Sequence, residues 1–411
     1  MESNKLKNND GTYLYIDKGF NTFSIRLNFL TRQDNRAAAI LDILCMYLMR
    51  CNQVYKSESD IVLRERELYD TFLNFSAGRK GKQEIFTLEA DLISMNVCGD
   101  DYSKEAFEFI RDMLLKPDFT NEEVLELVKR ILISYIDSIM DDYDQYANTS
   151  YYETVLPVEN MKYEHTVDKK YIEDLINSIT LDDLKREYEY LINNYLNGLV
   201  LGNISEEQFN EFVKCLGLTP SKHELDYNID VETTEGDIEV EKDCEQSYIY
   251  ITYDFTTLTN AELRILGHIL NTSIGLCMQT LREKYGLVYG AYAGILFHQK
   301  KLYIYGETDA SKKEKFINAV DEIIEGLTNK EVLEKYMDQA KKAIADNEDY
   351  IKENKKRLVN VINNRILKVF GDQDREIVNR EIEEMQPEDL MNKTQELNKK
   401  NVFMVRGKSN G

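Results

Sequence analysis

The chain has 411 residues, of which 43% are hydrophobic, so it is long and apolar enough for two or more compact units and global disorder is excluded. A formal net charge of −23 argues against nucleic acid and anionic membranes as partners, because a phosphate-binding surface needs a basic field. The chain has no apolar run of about 18 residues and a polar N-terminus, so we expect neither a membrane span nor a secretion signal. Six cysteines without a CxxC pair are typical of reduced thiols, which predicts a cytoplasmic protein.

The first half of the chain alternates between predicted strands and helices. Strands are predicted at 12–16 and 23–29, followed by a mostly apolar helix over 37–50 for which Asp34 is the candidate N-cap. The further predictions are a helix over 58–73, a hairpin-like strand pair around Gly78 to Gly81, helices at 103–115, 121–141, 169–177 and 181–193, a strand at 197–203 and a short helix at 205–215.

The composition changes between residues 218 and 243, where Pro220 and Gly236 stand among many acids and apolar periodicity is weak. This range is predicted to be a linker. The pattern then restarts, with strands at 247–255, 288–297, 301–308 and 401–405 and helices at 260–273, 275–284, 312–326, 329–369 (with a break near 350–355) and 387–398.

The two halves share one order of elements, which indicates a duplicated unit. We therefore predict an α+β fold made of two homologous halves, each a mostly antiparallel sheet with helices packed on one face. The N-terminal half covers 1–217, the linker 218–243 and the C-terminal half 244–411.

One stretch at the end of a predicted helix, LREKYGLVYG at residues 281–290, carries candidate chemistry. Gly286 can supply the left-handed turn between helix and strand. Arg282 brings a rigid fork of five donors and Tyr289 a phenolic donor at the strand start, and together they could bind a carbonyl oxygen or an oxyanion. The alternative is a helix end with solvated charges followed by a core tyrosine.

The same stretch resembles the C-terminal motif of the pitrilysin/insulinase-type zinc metallopeptidases, with the bacterial and mitochondrial-processing-peptidase branch as the best match in size. The resemblance implies two homologous α+β halves arranged as a duplicated half-clam. It also implies that Arg282 and Tyr289 come from the half without zinc, face a metal site, and hold the substrate and its tetrahedral intermediate.

The zinc helix of that family, with its HxxEH motif, is missing, because no histidine occurs before His165. The matching helix places Asp42, Cys45 and Met46 at the motif positions, and the family's downstream glutamate falls near Tyr135. A catalytic zinc site of this class cannot be built from these residues. We therefore expect no cofactor in this chain and zinc in a partner subunit.

Three questions stay open at this point. Asp42 and Cys45 lie three residues apart on one helical face and could begin another metal site, although two ligands without a third are a poor one. In the aromatic strand around 248–253, the face with Tyr250 or Tyr253 could line a peptide cavity. The tyrosine-rich segment 143–152 could face a partner or form a loop.

The resemblance implies a non-catalytic subunit that pairs with a zinc-bearing HxxEH homologue in a heterodimer, with the partner cleaving peptides and Arg282 and Tyr289 completing its site. Precursor or leader peptides are the candidate substrates, the isolated chain is not an enzyme, and a homodimer is possible in isolation. The alternative is an inactive structural or peptide-binding protein. An unrelated enzyme has no support, because the chain contains neither a phosphate-binding glycine loop nor GxSxG.

Overall fold

The structure is a computed structural model that describes residues 6–32, 34–371 and 374–407. These residues form two compact units, and each unit is assembled from separate stretches of chain. Unit 1 contains the residues up to Ser138, then Asp168–Tyr227 and Asn354–Val369. Unit 2 contains Ile139–Val167, Asn228–Glu353 and the residues from Phe370 onwards. The division into 1–217, 218–243 and 244–411 therefore stays a prediction about the sequence repeat, and the compact units follow different boundaries.

The strands are numbered in chain order. They are β1 Leu6–Asn9, β2 Thr12–Ile16, β3 Thr22–Leu30, β4 Phe72–Lys80, β5 Gln83–Ile93, β6 Tyr195–Gly202, β7 Gly236–Glu241, β8 Ser247–Asp254, β9 Ala291–Leu296, β10 Lys301–Thr308 and β11 Asn398–Arg406.

The α-helices are α1 Asn35–Leu48, α2 Glu58–Glu67, α3 Met95–Cys98, α4 Ser103–Leu115, α5 Glu122–Asp141, α6 Tyr143–Val155, α7 Lys162–His165, α8 Lys169–Asn177, α9 Leu181–Ile192, α10 Glu206–Leu216, α11 Asn260–Asn271, α12 Lys313–Gly326, α13 Lys330–Glu353, α14 Lys355–Ile366, α15 Arg375–Glu384 and α16 Pro387–Thr394. Short 3₁₀ segments occur at Glu159–Met161 and Ala310–Lys312, and a π-helix at Met278–Lys284. Across the described ranges, the helices fall short of the length and apolarity that a membrane crossing needs.

Each unit is built on one sheet, and the two sheets repeat the same topology. The sheet of unit 1 has the strand order β1-β2-β6-β3-β5-β4, and that of unit 2 has the order β7-β11-β8-β10-β9. In both sheets the first pair of the shared order, β2 with β6 and β7 with β11, is parallel, and the other pairs are antiparallel. The duplicated α+β fold is thereby confirmed. Strand β7, the counterpart of β2, lies within the range predicted as a linker.

The sheet of unit 2 carries different side chains on its two faces. Ile249, Ile251 and Tyr253 of β8 join the large apolar core that also contains residues of α11, α12 and α13. Tyr250, on the opposite face, packs with Tyr151 of α6. The tyrosine-rich segment 143–152 is therefore a helix covering this second face, not a loop.

In unit 1 the second face of the sheet is polar and α14 packs against it. The amide of Asn28 on β3 donates to the Asn363 side chain of α14 at 2.8 Å, and Lys355 lies 2.9 Å from Asp91 on β5. Burial alone would raise the pKa of Asp91, but hydrogen bonds from Ser24 and Lys355 outweigh it and lower that pKa. Polar side chains under one helix are thus paired with one another.

Local signals set several of the element ends. The Asp34 carboxylate accepts a hydrogen bond from the Ala37 amide at 2.7 Å, so the predicted N-cap of α1 is confirmed. The predicted break near 350–355 is also confirmed, because α14 begins after Asn354, whose side chain caps it. Helix α2 ends before the predicted 73, since Tyr69 and Asp70 adopt positive φ angles.

Candidate functional site

The motif around Arg282 begins in a π-helical segment, Met278–Lys284, where an α-helix was predicted. Such wide turns are rare and occur often at functional sites. Gly286 follows with φ of +57°, and its amide donates to the Arg282 carbonyl at 2.9 Å. The Leu287 amide donates to the Leu281 carbonyl at the same distance. The predicted left-handed turn at Gly286 is confirmed, and the bond from the Gly286 amide to the Arg282 carbonyl closes the helix as in the αL motif.

Apolar side chains fix this turn to the body of unit 2. Leu281, Leu287 and Val288 are buried in the main core. The Thr308 hydroxyl donates to the Leu287 carbonyl at 2.7 Å, which ties the segment to the end of β10. The backbone on both sides of Gly286 is therefore held in place, and the polar side chains of the motif project from a rigid base.

The polar residues of the motif fall into two groups. Lys284 and Tyr285 both reach Glu322 of α12 at 2.6 Å, so their contacts hold the motif to that helix. The side chain of Arg282 is 52% exposed, and its Nε lies 3.7 Å from the Glu283 carboxylate, a weak surface pair. Arg282 therefore keeps most of its donors available to a ligand.

Tyr289 is 80% exposed, more than any other large apolar or aromatic residue that the structure describes. It precedes β9, so its predicted place at the strand start is wrong, and so is the alternative of a core tyrosine. The reason is local, since Leu287 and Val288 already occupy the buried positions. Tyr289 therefore adds little to the packing of the core, and its side chain is open to solvent.

The helix that matches the family's zinc helix, α1, is an ordinary core helix in unit 1. Cys45 is 8% exposed, and Asp42 and Met46 are half-buried. Burial raises the pKa of the Cys45 thiol well above its usual range, and the nearby carboxylates of Asp42 and Glu84 raise it further. A thiol that stays protonated is a poor metal ligand, so the reading of Cys45 as a buried structural cysteine is favoured over a second metal site.

Tyr135, at the position of the family's downstream glutamate, is 61% exposed on α5. Within the ranges 6–32, 34–371 and 374–407, no group of three or more His, Cys, Asp or Glu side chains could hold a metal ion. Of the four side chains at these positions, only the Asp42 carboxylate is a ligand that zinc takes, because a phenol, a thioether and a protonated thiol provide no nitrogen, carboxylate or thiolate. The residues at these positions do not fit zinc.

The sequence did not reveal Glu322, which organises the motif by binding two of its side chains. It lies 38 residues after Lys284, within an amphipathic helix of ordinary composition. Nothing in its neighbourhood distinguishes it from other exposed glutamates, because its role depends on the packing of α12 against the π-helical segment.

Comparison with known proteins identifies the motif's setting. A family model described as "Peptidase M16 inactive domain" matches residues 178–344, which include Arg282 and Tyr289. A Helicobacter pylori protein named "Non-peptidase homolog YmxG" is 22% identical over 263 residues, 60% of this chain. The matched region spans 59% of that relative's length.

Two solved structures share the fold over almost their whole length. A conserved protein from Enterococcus faecalis V583 superposes with a TM-score of 0.83 at 17% identity, covering 98% of each chain. A peptidase M16 inactive domain from Pseudomonas fluorescens superposes with a TM-score of 0.74 at 16% identity, covering 97% of each chain. The narrower resemblance to the mitochondrial-processing-peptidase branch stays a prediction. Residues 178–344 of this chain are therefore similar to the inactive domain of the M16 peptidases, and the chain contains no HxxEH sequence.

Proposed function

We propose that this chain is the non-catalytic subunit of a heterodimeric zinc metallopeptidase. It supplies Arg282 and Tyr289 to the active site of a zinc-bearing homologue, which cleaves peptides, with precursor or leader peptides as candidate substrates. The chain contributes no metal, and its working place is the cytoplasm.

The observation that carries this proposal is the division within one motif. Lys284 and Tyr285 are bound to Glu322, whereas Arg282 is half-exposed and Tyr289 is almost fully exposed. A turn that served only packing would have no need of a rigid base presenting an arginine and a tyrosine to solvent. Presentation from a fixed backbone is what a site completed by another molecule requires.

The chemistry of the two side chains suits this role. A peptide carbonyl under attack develops negative charge on its oxygen, and donors placed beforehand stabilise that charge more than they stabilise the ground state. The Arg282 guanidinium donates through N–H groups in a fixed plane, and the Tyr289 hydroxyl donates one further hydrogen bond. Neither group acts as a base or a nucleophile here.

A second candidate function is supported by the name of the Helicobacter pylori relative, which describes a non-peptidase homologue. In this alternative the chain binds peptide or holds a complex together, and no cleavage depends on it. The two functions differ in whether activity of the assembled complex requires Arg282 and Tyr289.

The test mixes the purified chain with a purified HxxEH-bearing homologue and follows the cleavage of an unfolded peptide. We expect little cleavage by either chain alone and cleavage by the mixture. Arg282→Ala or Tyr289→Phe should lower the rate of the mixture by about 10²–10³-fold, as loss of one oxyanion donor does elsewhere. An unchanged rate with both variants would support the structural alternative.

Matched controls come from the same turn. Lys284→Ala removes one positive charge two residues from Arg282, and Tyr285→Phe removes one phenolic hydroxyl four residues from Tyr289. Because both side chains contact Glu322, these variants should affect the stability of the motif more than the cleavage rate of the mixture. A loss of rate as large in the controls would point to the fold of the turn instead of its donors.

A further inference from the structure

A row of aromatic rings crosses the second face of the sheet in unit 2. Tyr292 on β9 pairs directly with Tyr305 on β10, which pairs with Tyr250 on β8, and Tyr250 pairs with Phe403 on β11. The ring centroids are 4.8 Å apart for the first two pairs and 6.2 Å for the third. Tyr292, on the edge strand, is 39% exposed, and Tyr250 and Phe403 are fully buried. The row therefore runs from solvent into the interior.

Carboxylates gather at this row. The Tyr305 hydroxyl donates to the carboxylate of Asp144, an exposed residue in the first turn of α6. Glu307 lies on the same face of β10 as Tyr305, since side chains alternate along a strand. Burial raises the pKa of Glu307, and the Asp144 charge raises it further. The pKa of Tyr248, opposite Glu307, is raised by burial first and then by Glu307, the Cys244 thiol and Asp144.

In the part of the chain that the structure describes, no cation is among the groups that chiefly shift the pKa values of Tyr305, Glu307 and Tyr248. Lys242 lies near the same helix, but its ammonium is 3.8 Å from the ring centroid of Tyr146. Burial and the Asp144 charge both raise the pKa of Glu307, so a positive charge that binds beside these two carboxylates stabilises the ionised form of Glu307. The electrostatics of the cluster favour a cationic ligand.

A separate observation points to a ligand at the same place. The hydroxyl of Tyr250 is buried and has no hydrogen-bond partner among the described residues. The Tyr250 ring packs on the Tyr305 ring with 4.8 Å between their centroids, and the groups that raise the pKa of Tyr250 after burial are Tyr305, Tyr292, Asp144 and Tyr303, so the side chain lies within this cluster. A buried hydroxyl without a partner is unfavourable, and it becomes favourable when a donor or acceptor enters.

We propose that Tyr292, Tyr305, Tyr250, Asp144 and Glu307 form a binding site for a basic side chain of a peptide, with arginine as the preferred one. The planar guanidinium can stack on the exposed Tyr292 ring while its N–H groups donate to the two carboxylates and to the Tyr250 oxygen. An ammonium group cannot stack in this way. A bare metal ion fits less well, because the described residues offer no group of three ligands for one.

The inference goes beyond the proposed function, since it concerns binding by this chain alone and requires no cleavage. The probe is a seven-residue peptide, acetylated and amidated, with one central arginine among alanines and serines. Its control is the same peptide with citrulline, a neutral isostere of arginine. Isothermal titration of the full chain should give an affinity at least about tenfold higher for the arginine peptide.

The acidic pair is tested by Asp144→Asn with Glu307→Gln, which should reduce the preference for arginine to about twofold or less. The control is Glu211→Gln with Glu224→Gln, which removes the same charge at two exposed positions elsewhere. This control is needed because a net charge of −23 attracts any cationic peptide. It should leave the preference unchanged.

Tyr250→Phe separates a binding role from a structural one. Removing a buried hydroxyl without a partner should leave the melting temperature equal or higher, while the affinity for the arginine peptide falls by about tenfold. Equal binding of the two peptides by the wild-type chain would overturn the proposal. The proposal would also be overturned if the preference for the arginine peptide were as large in the Asp144→Asn, Glu307→Gln variant as in the control variant.

Discussion

Helix α6 lies in unit 2, where Tyr151 packs against β8. This contact predicts a measurable coupling energy between Tyr151 and Thr252. The Tyr151 ring stacks on Tyr250 at 4.4 Å with an interplanar angle of 11°. Its hydroxyl lies 2.9 Å from the Thr252 hydroxyl, and both residues are fully buried. Tyr151→Phe keeps the stacked ring but leaves the Thr252 hydroxyl without this partner. The expected loss is about 1–2 kcal/mol, chiefly the cost of a buried polar group left unpaired.

A double-mutant cycle separates this hydrogen bond from packing. Thr252→Val should cost a similar amount, because it leaves the Tyr151 hydroxyl unpaired instead. The variant with both changes removes both hydroxyls and should cost little more than either single change, which gives a coupling energy of about 1–2 kcal/mol. Tyr143→Phe, at an exposed position of the same helix, should stay within about 0.5 kcal/mol of the wild type.

The assay is hydrogen exchange of the β8 amides as a function of urea, since a chain with two compact units does not guarantee one two-state transition. It reports the free energy of opening at the strand that carries Tyr250 and Thr252. If the costs of the two single variants simply added in the double variant, the result would contradict the hydrogen bond between Tyr151 and Thr252 and the docking of α6 on this sheet.

Two further predictions concern stability. Hydrogen bonds from Thr180 and Arg36 overcome the effect of burial and lower the pKa of Asp183 to about 2. The ionised Asp183 therefore contributes to the free energy of unfolding above pH ~4, and this contribution is lost as the pH falls towards 2. Asp183→Asn should lose up to about 2 kcal/mol at neutral pH, and the gap to the wild type in acid-unfolding curves should close below pH ~4. Gly286→Ala should cost about 1 kcal/mol in urea unfolding because φ is positive there, whereas Gly326→Ala, at the last residue of α12, should be neutral or stabilising.

Local chemistry made part of the fold predictable from the sequence. The cap at Asp34 and the left-handed turn at Gly286 depend on one residue and its immediate neighbours, and the structure has both. The shared order of elements predicted a duplication, and the two sheets have the same topology. Arg282 was identified as a candidate because its residue type and position in the motif both carry information.

Long-range packing was not predictable from the sequence. Helices α6 and α14 each join the unit built mainly from the other half of the chain, and nothing local in them encodes that choice. Strand β7 was missed because it is an edge strand with one neighbouring strand, and such a strand can carry acids at every second position. This acidic composition led to the prediction of a linker. The exposure of Tyr289 depends on which neighbours fill the core, which only the folded chain decides.

In the proposed complex this chain gives donors, and no metal, to a site in the partner subunit. The most direct measurement is the turnover number of the mixed complex at saturating peptide, made together with the dissociation constant of the two chains. With Arg282→Ala, turnover should fall by about 10²–10³-fold while the two chains bind as tightly as before. Unchanged turnover by a complex that still assembles would contradict the claim.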